Sequence, residues 1–369
     1  MRLLLCGGGT AGHITPAIAI AEELMKKAPD SRVLFVGREG GSENDAIKQA
    51  RFEIQTIKMQ GLIRSFSLKN IGRILNACRA QREAKKIISD FRPDAILGTG
   101  GYVCWPIINA GHKFNIPIFL HESNAVPGIT TKLLSPKCNA VFVGVPTVKD
   151  HLSKKAKIRV VGNPIRESFI STARDHARND LKLKKDDIFI VSFGGSIGAD
   201  KLNESINEVM RSYSSKNKSV KHLHATGKRY YRDDLDYAVK KDGCHILPYI
   251  KNMPSILSAA DIAICRCGAM TLSELAAIGV ASILIPSPNV SGNHQYMNAR
   301  YFSDNGAAVL LEEKDLNGSR LIDEISRLQS SISERKNKAE RIKSLSTPDA
   351  AKKIVTELIS VSKAAKRPF

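Results

Sequence analysis

One stretch of the chain, Asp261–Pro286, has residue types and spacing that could bind a nucleotide. It reads as a buried strand, a tight loop, a helix and a second apolar strand, which together predict a βαβ unit of a parallel sheet. At such a loop the free N–H groups and the helix dipole favour an anion such as a phosphate. Glu274, about one turn into the helix, is placed to accept hydrogen bonds from a pair of hydroxyls, as on a ribose. The alternative is an ordinary helix start at which Thr271, Ser273 and Glu274 serve as caps.

Three glycine-rich loops, each directly after an apolar run, could bring backbone N–H groups close to a diphosphate. They are Gly7–His13, Gly98–Tyr102 and Gly194–Gly198. The first and the last share the pattern G-G-[T/S]-x-G, and its first glycines, Gly8 and Gly194, are 186 residues apart, about half of the chain. A single loop of this kind usually makes only a turn from strand to helix. The repetition favours phosphate binding and predicts two Rossmann-like domains in tandem, with their loops facing a shared cleft.

Two residues could act as general bases. His13 stands at the amino end of the first predicted helix, where the dipole disfavours a protonated imidazole and leaves the neutral form available. Glu122 ends another predicted strand within His121-Glu122-Ser123-Asn124 and is the second candidate. The alternatives are a histidine that caps or packs and a polar loop after a strand.

Two further motifs are weaker. The first glycine loop also fits G-x-G-x-x-G, but a dinucleotide-dependent oxidoreductase would want an acid at the end of the second strand, where this chain has Gly37 and Arg38. The motif Asp234-Leu235-Asp236 could clamp a metal and a diphosphate, but it lies in the very polar run Tyr230–Asp242, which predicts an exposed helix. We therefore disfavour an oxidoreductase and expect no metal and no other cofactor.

The charge of the chain points to an anionic partner. The chain has 369 residues, a formal net charge of +20 and a pI of about 9.7, which suits nucleic acid, a membrane face or a phosphorylated substrate. Nucleic acid is disfavoured, because no recognition motif is present and aromatic residues make up only 6%. The segment Leu68–Phe91 is basic and amphipathic, so it could lie on an anionic membrane surface or could be a domain helix with a solvated basic face.

Targeting signals are not evident. The apolar run at the start stops at Gly7, too early for a signal peptide, and no run approaches the ~18 apolar residues of a membrane span. Seven cysteines without a signal peptide predict reduced thiols in the cytosol.

Strand-like and helical patterns alternate along the chain and predict an α/β protein with two doubly wound domains. The predicted strands are Arg2–Cys6, Arg32–Val36, Glu53–Lys58, Ala95–Gly98, Ile116–His121, Ala140–Val143, Ile158–Val161, Asp187–Phe193, His222–Ala225, His245–Leu247, Ile262–Cys265, Ser282–Ile285 and Ala307–Leu311. The predicted domains are 1–161, joined by a C-terminal helix at 348–363, and 164–345, with a hinge near Gly162-Asn163-Pro164.

The order and spacing of these motifs resemble the MurG family of N-acetylglucosaminyltransferases nearly from end to end. The resemblance is carried by Gly8-Gly9-Thr10-x-Gly12-His13, Gly98-x-Gly100-Gly101-Tyr102, His121-Glu122-x-Asn124, Gly162-Asn163-Pro164-x-Arg166, Gly194-Gly195-Ser196-x-Gly198-Ala199, Cys265-Arg266-x-Gly268-Ala269, Thr271-x-Ser273-Glu274 and Asn293-His294-Gln295. It implies a GT-B fold, an α/β architecture of two Rossmann-like domains whose parallel sheets face a central cleft. It also implies an inverting transfer of GlcNAc from UDP-GlcNAc to the 4-hydroxyl of undecaprenyl-diphospho-MurNAc-pentapeptide. The resemblance further implies that the protein acts in peptidoglycan synthesis, bound peripherally at the cytoplasmic face of the inner membrane.

The resemblance also implies roles for individual residues. His13 and Glu122 would be catalytic, and the acceptor diphosphate would meet Gly9, Gly100, Gly101 and Tyr102. Donor binding would fall to Thr10, Ala11, Gly12, Asn124, Arg166, Ser196, Ile250, Ala269, Met270, Thr271, Leu272, Ser273, Glu274 and Gln295. Within this set, Arg166 and the Ile250 backbone would neighbour uracil, Glu274 would bind the ribose, and Gln295 and Asn124 would contact the sugar.

The chain departs from the family pattern at several positions. Ala11 stands for a usual Gly, Ile197 for Gln, Cys267 for Ser and Ser123 for Gln, and Leu68–Phe91 lacks the aromatic residues common in the membrane patch. The remaining alternatives are another nucleotide-sugar-dependent transferase of this fold and a non-catalytic nucleotide-sugar-binding protein.

Overall fold

The computed structural model describes residues 1–9, 11–41, 44–59, 69–232 and 243–365, without the side chains of residues 11, 69–75, 77 and 78. Within them the chain forms two compact units, unit 1 from Met1–Arg166 with Thr347–Phe369 and unit 2 from Glu167–Ser346. Three predictions fall outside the described part: Thr10, the motif Asp234–Asp236, and the side chains in the first half of the basic segment Leu68–Phe91.

Unit 1 is a parallel sheet with helices on both faces. Its elements are β1 (Arg2–Cys6), α1 (Ala11–Lys27), β2 (Arg32–Arg38), α2 (Asn44–Gln49), β3 (Glu53–Ile57), α3 (Lys69–Phe91), β4 (Ala95–Gly98), α4 (Cys104–Lys113), β5 (Ile118–Glu122), α5 (Ile129–Leu134), β6 (Ala140–Val143) and β7 (Ile158–Val160), with short 3-10 turns at Ser135–Lys137 and Pro146–His151. The strand order is β3-β2-β1-β4-β5-β6-β7, and all neighbouring strands are parallel.

Unit 2 repeats this plan with six strands. Its elements are α6 (Ser168–Ser171), α7 (Arg174–Asp180), β8 (Ile188–Phe193), α8 (Asp200–Ser212), β9 (Val220–Ala225), β10 (Cys244–Leu247), α9 (Met253–Ala259), β11 (Ile262–Cys265), α10 (Ala269–Ile278), β12 (Ala281–Leu284), α11 (His294–Asp304), β13 (Val309–Leu310), α12 (Gly318–Ser330) and α13 (Ile332–Ser344). The parallel strands are ordered β10-β9-β8-β11-β12-β13. The last helix, α14 (Ala350–Ala364), belongs to unit 1.

The core of unit 1 lies on both faces of its sheet, which is why β1 is apolar without alternation: Leu3, Leu4 and Leu5 are all fully buried. One face is covered by α3, α4 and α5, and the other by α1, α2 and α14. In α3, Ile87 and Ile88 belong to this core, while Arg79, Lys85 and Lys86 are exposed. The described part of α3 is therefore a domain helix with a solvated basic face, the second of the two predicted alternatives.

The sheets place the polar loops. The strand order reverses direction between β1 and β4 in unit 1 and between β8 and β11 in unit 2. The connections that follow the two strands of each pair therefore run to opposite sides of the sheet. Loops that follow such a pair diverge and leave a crevice at the carboxyl edge of the sheet, where ligands of this fold class bind. No described helix combines the length and the apolar character needed to cross a membrane.

Candidate active site

In unit 1 the glycine loops that follow β1 and β4 are interlocked. Gly101 has a φ of +83°, and a Cβ at this position would lie 2.0 Å from the carbonyl oxygen of Gly8. Tyr102 lies against the same loop, with its Cε1 3.7 Å from where a Cβ of Gly9 would be. Only glycine at position 101 allows this close backbone approach. The residues predicted for the acceptor diphosphate, Gly9, Gly100, Gly101 and Tyr102, are thus brought together at one edge of unit 1.

The His13 imidazole is held by this pair of loops. Its Nδ1 lies 3.0 Å from the carbonyl oxygen of Thr99. Because a carbonyl only accepts, Nδ1 carries the proton, and the basic lone pair of the neutral ring is on Nε2. Gly100 makes room for the ring, since a Cβ at this position would lie 2.5 Å from Nδ1. The ring is therefore fixed in position and in tautomer, as a general base requires.

Glu122, the second predicted base, is in different surroundings. Its side chain is buried, and its carboxylate accepts hydrogen bonds from Asn124 and Gly128 of the following loop and from Thr131 of α5. A base must offer a lone pair to the substrate, whereas these donors occupy both oxygens. The surroundings of Glu122 therefore favour a role in shaping the loop over the predicted role in catalysis.

In unit 2 a pocket of about 580 Å³ opens at the crevice between β8 and β11. The glycine loop after β8 lines it with Gly194, Ser196, Ile197 and Gly198, and the rest of the lining includes Arg266, Gln295 and Glu313. Of the predicted donor-binding residues, Ser196 and Gln295 line this pocket. At the tip of the loop Ile197 is 68% exposed, so its apolar side chain faces solvent.

The amino end of α10 follows the next loop along the edge. Its N-cap residue is Gly268, which makes no side-chain cap, and the Ser273 hydroxyl donates back to the Ala269 carbonyl at 3.0 Å. The helix therefore begins without a side-chain cap from its N-cap residue. Met270 and Leu272 are buried in the core of unit 2, so of these two residues only the backbone could meet a ligand. Thr271 and Glu274 are partly buried.

Gln295 ties two loops of the pocket together. Its Oε1 accepts from the backbone N–H groups of Cys267 at 3.2 Å and Ser287 at 2.9 Å. This fixes the orientation of the amide, so the nitrogen is the end that can donate to a ligand.

Arg266 and Glu313, for which the sequence predicted no role, form a partly buried ion pair in the lining of the same pocket. The Arg266 guanidinium also donates to the carbonyl oxygens of Ile285 and Pro286, each at 3.3 Å. Arg266 could have been noticed from its place directly after a strand. Glu313 is 47 residues away and carried no local signal.

The remaining predicted residues lie elsewhere. The Ile250 side chain is buried and does not line the pocket, and Arg166 is exposed and belongs to unit 1. Gly12 is exposed in the first turn of α1. Among the residues that the structure describes, no group of three or more His, Cys, Asp or Glu side chains is arranged to hold a metal ion.

Comparison with known proteins gives a consistent family. The model of the glycosyltransferase family 28 N-terminal domain matches residues 3–143, and that of the C-terminal domain matches residues 189–354. A protein of Caldanaerobacter subterraneus subsp. tengcongensis is 41% identical over 359 residues, covering 96% of this chain and 98% of its own. One of Bacillus subtilis is 34% identical over 366 residues, covering 98% and 100%. Both are named UDP-N-acetylglucosamine–N-acetylmuramyl-(pentapeptide) pyrophosphoryl-undecaprenol N-acetylglucosamine transferase.

Solved structures agree. The crystal structure of Acinetobacter baumannii MurG superposes with a TM-score of 0.78 at 25% identity, covering 97% of this chain and 99% of its own. A UDP-GlcNAc 2-epimerase of Neisseria meningitidis, solved with UDP-GlcNAc, shares the fold with a TM-score of 0.67 at 14% identity, covering 98% of this chain and 100% of its own. The two matched domains and the full-length relatives show that the chain belongs to glycosyltransferase family 28 and, within it, to the MurG family of N-acetylglucosaminyltransferases.

Proposed function

We propose that the protein transfers GlcNAc from UDP-GlcNAc to the muramoyl 4-hydroxyl of undecaprenyl-diphospho-MurNAc-pentapeptide, with inversion at the sugar. The observation that carries this proposal is the match to transferases of that name over 96% or more of the chain. An inverting transfer needs a donor site that stabilises the leaving diphosphate and a base for the acceptor hydroxyl.

Unit 2 holds the donor in this proposal. The glycine loop with Ser196 and the amino end of α10, from Ala269 to Thr271, present N–H and hydroxyl donors to the UDP diphosphate. The helix dipole stabilises the negative charge of departing UDP, so the proposal needs no metal. Glu274 accepts from the ribose hydroxyls, and the Gln295 amide nitrogen donates to the sugar. The uracil lies near the Ile250 backbone.

Unit 1 supplies the base and the acceptor site. The proton of the acceptor hydroxyl passes to Nε2 of His13 as the oxygen bonds to C1 of GlcNAc. The bond from C1 to the β-phosphate oxygen breaks, and UDP leaves with its electron pair. The hydrogen bond from Nδ1 to Thr99 stabilises the imidazolium that forms. Gly9 and the loop of Gly100 and Gly101 offer backbone N–H groups to the acceptor diphosphate.

Unit 1 is also the side that meets an anionic membrane at its cytoplasmic face. Of the net charge of +20, the residues of unit 1 carry +16 and those of unit 2 carry +4. Three large apolar side chains on α4 and α5 are exposed, Trp105 at 38%, Ile129 at 59% and Leu133 at 55%. Lys132 and Lys137 are exposed beside them. An apolar surface with basic neighbours suits peripheral binding to anionic lipid.

The transfer itself is tested with radiolabelled sugar donors and a lipid-linked muramoyl-pentapeptide acceptor. We expect labelled disaccharide-lipid from UDP-GlcNAc and little from UDP-GalNAc, while NADPH should give no protection against thermal unfolding. Transfer from another donor but not from UDP-GlcNAc would point to a different transferase of this fold. Tight UDP-GlcNAc binding without turnover would point to a binding protein.

The membrane surface is tested by the fluorescence of Trp105, the single tryptophan of the chain. We expect a blue shift with phosphatidylglycerol vesicles that K132E/K137E weakens and that 0.5 M salt reverses. The matched control is K154E/K155E, which reverses the same number of exposed charges in unit 1. If both double variants weaken the blue shift equally, the overall charge of unit 1 and not this surface is the cause of vesicle binding.

A further inference from the structure

The loop after β5 and the start of α5 surround the carboxylate of Glu122, the last residue of β5. Oε1 accepts from the backbone N–H of Asn124 at 3.1 Å and from its side-chain Nδ2 at 3.2 Å. Oε2 accepts from the backbone N–H of Gly128 at 3.0 Å and from the Thr131 hydroxyl at 2.7 Å. Four donors from three residues thus converge on one buried side chain.

This arrangement fixes the orientation of the Asn124 amide. An ionised carboxylate only accepts hydrogen bonds, so the end of the amide that faces Glu122 must be the nitrogen. The amide oxygen is then turned away from the carboxylate, and a 180° flip would set oxygen against oxygen. Asn124 is partly buried, in a loop at the carboxyl edge of the unit 1 sheet.

We propose that Glu122 is a positioning residue that acts through Asn124. It holds the amide nitrogen inward and presents the amide oxygen as an acceptor for a hydroxyl of the sugar substrate. The proposal rests on the proposed function, because it assigns Asn124 a substrate contact. It differs from the alternative of Glu122 as a base, which would require the carboxylate to leave these four donors.

The substitution Glu122→Gln separates the two roles. A glutamine keeps the size of the side chain but points an NH₂ group at N–H and O–H donors on one side of the network. The loop then loses the constraint on Asn124, and a misplacement of about 1 Å can lower turnover up to about 10²-fold. Loss of a base would remove one arm of the pH profile as well.

A double-mutant cycle is the sharpest test. We expect Glu122→Gln and Asn124→Ala each to lower kcat, and the double variant to be no worse than Asn124→Ala alone. We also expect the pH dependence of kcat in Glu122→Gln to keep both arms of the wild-type profile. Multiplying effects in the double variant, or loss of the low-pH arm, would overturn the proposal and make Glu122 act on the substrate itself.

Thr131 offers a second route if Glu122→Gln does not fold. Thr131→Ser keeps the hydroxyl that binds Oε2, and Thr131→Val removes it at nearly the same size. We expect kcat to fall several-fold in Thr131→Val but not in Thr131→Ser, and not to fall further when Thr131→Val is added to Asn124→Ala. Urea unfolding followed by the fluorescence of Trp105, which lies in the same unit as Thr131, serves as the folding control. A wild-type protein without transfer activity would refute the proposed function. If the wild type is active and the kcat of Thr131→Val equals that of Thr131→Ser, the role of Glu122 is refuted.

Discussion

The central crevices of the two units differ, although six strands of each sheet follow the same order. In unit 1 the glycine loop after β1 packs against the loop after β4, across the crevice, as the 2.0 Å approach of a Gly101 Cβ to the Gly8 carbonyl indicates. In unit 2 the corresponding loop packs sideways against the loop after β9. A Cβ on Gly198 would lie 2.1 Å from the Thr226 carbonyl oxygen. The glycine loop that follows the first strand of each unit therefore packs against a different neighbouring loop in the two units.

The partner of each loop decides what its crevice can do. Between β1 and β4 the described parts of the two loops pack against each other and hold the His13 ring. Between β8 and β11 a pocket of about 580 Å³ is left for a ligand. The comparison teaches that the same strand–glycine–helix unit can hold a side chain or border an open pocket, depending on the neighbouring loop.

The largest effect is expected from removing the side chain that unit 1 presents. In His13→Ala the acceptor hydroxyl loses its base, and kcat should fall about 10²–10⁴-fold. UDP affinity, measured by calorimetry, should stay unchanged because the proposed nucleotide site lies in unit 2. Full transfer activity in a folded His13→Ala protein would contradict the assignment.

The packing difference predicts unequal costs for two glycine substitutions. Gly101→Ala combines a left-handed backbone with a clash and should lower the free energy of unfolding by about 3 kcal/mol or more. Gly195 has a φ of +92° but no heavy atom within 4 Å of its Cβ position, so Gly195→Ala should cost only about 1–2 kcal/mol. Urea unfolding checks both, with Trp105 fluorescence for unit 1 and circular dichroism for the whole chain. Equal costs would mean that the loops of unit 1 are not interlocked.

Donor binding should depend on the carboxylate on α10. Glu274→Ala should weaken UDP-GlcNAc binding by about 10- to 100-fold, the range for a lost hydrogen bond to a charged group. The matched control is Glu340→Ala, which removes an exposed carboxylate from α13 of the same unit. An unchanged KM for UDP-GlcNAc in Glu274→Ala would remove the ribose role.

The smallest effect is a difference in acid sensitivity. In unit 2 burial lowers the pKa of His222 to about 3 and of His224 to about 4, and both rings share the Ser192 hydroxyl. In unit 1 burial lowers the pKa of His121 to about 4. These rings stay neutral in the fold while the unfolded chain takes up protons below about pH 6.5. Their contribution to stability is therefore complete above pH 6.5 and is lost as the pH falls towards about 4 for His121 and His224 and about 3 for His222.

Unit 2 has two of these buried histidines and unit 1 has one, so the stability of unit 2 should fall more steeply as the pH is lowered. The difference should be about 1.4 kcal/mol per pH unit below pH 6, since each ring contributes at most that slope. Hydrogen exchange of the β8 and β1 amides, corrected for intrinsic rates, measures the two units separately. Replacing His222 by Gln should bring the slope of unit 2 to that of unit 1, and an unchanged slope would contradict the account.

Much of this fold could be predicted from the sequence. All thirteen predicted strands are present within a few residues, because buried parallel strands are continuous apolar runs such as Leu3–Leu5 and Ile262–Cys265. The positions of the glycine loops followed from those strands. Their partners did not, since the packing of Gly198 against Thr226 depends on which strands are neighbours in the sheet.

The site was harder to predict than the fold. Sequence reasoning placed Met270 and Leu272 with the donor residues, yet the period of α10 turns both side chains into the core. It placed Glu122 at the correct edge but could not foresee that the next nine residues would fold back onto its carboxylate. The pair of Arg266 and Glu313 forms between distant segments, and no spacing rule marks such a contact.

The central claim is that the open crevice of unit 2 receives the nucleotide, and hydrogen exchange with and without UDP tests it most directly. The account predicts that UDP slows exchange in the loop 194–199 and at the start of α10, 268–272, and leaves the loops 7–13 and 99–103 of unit 1 unchanged. Protection confined to the unit 1 loops would contradict it.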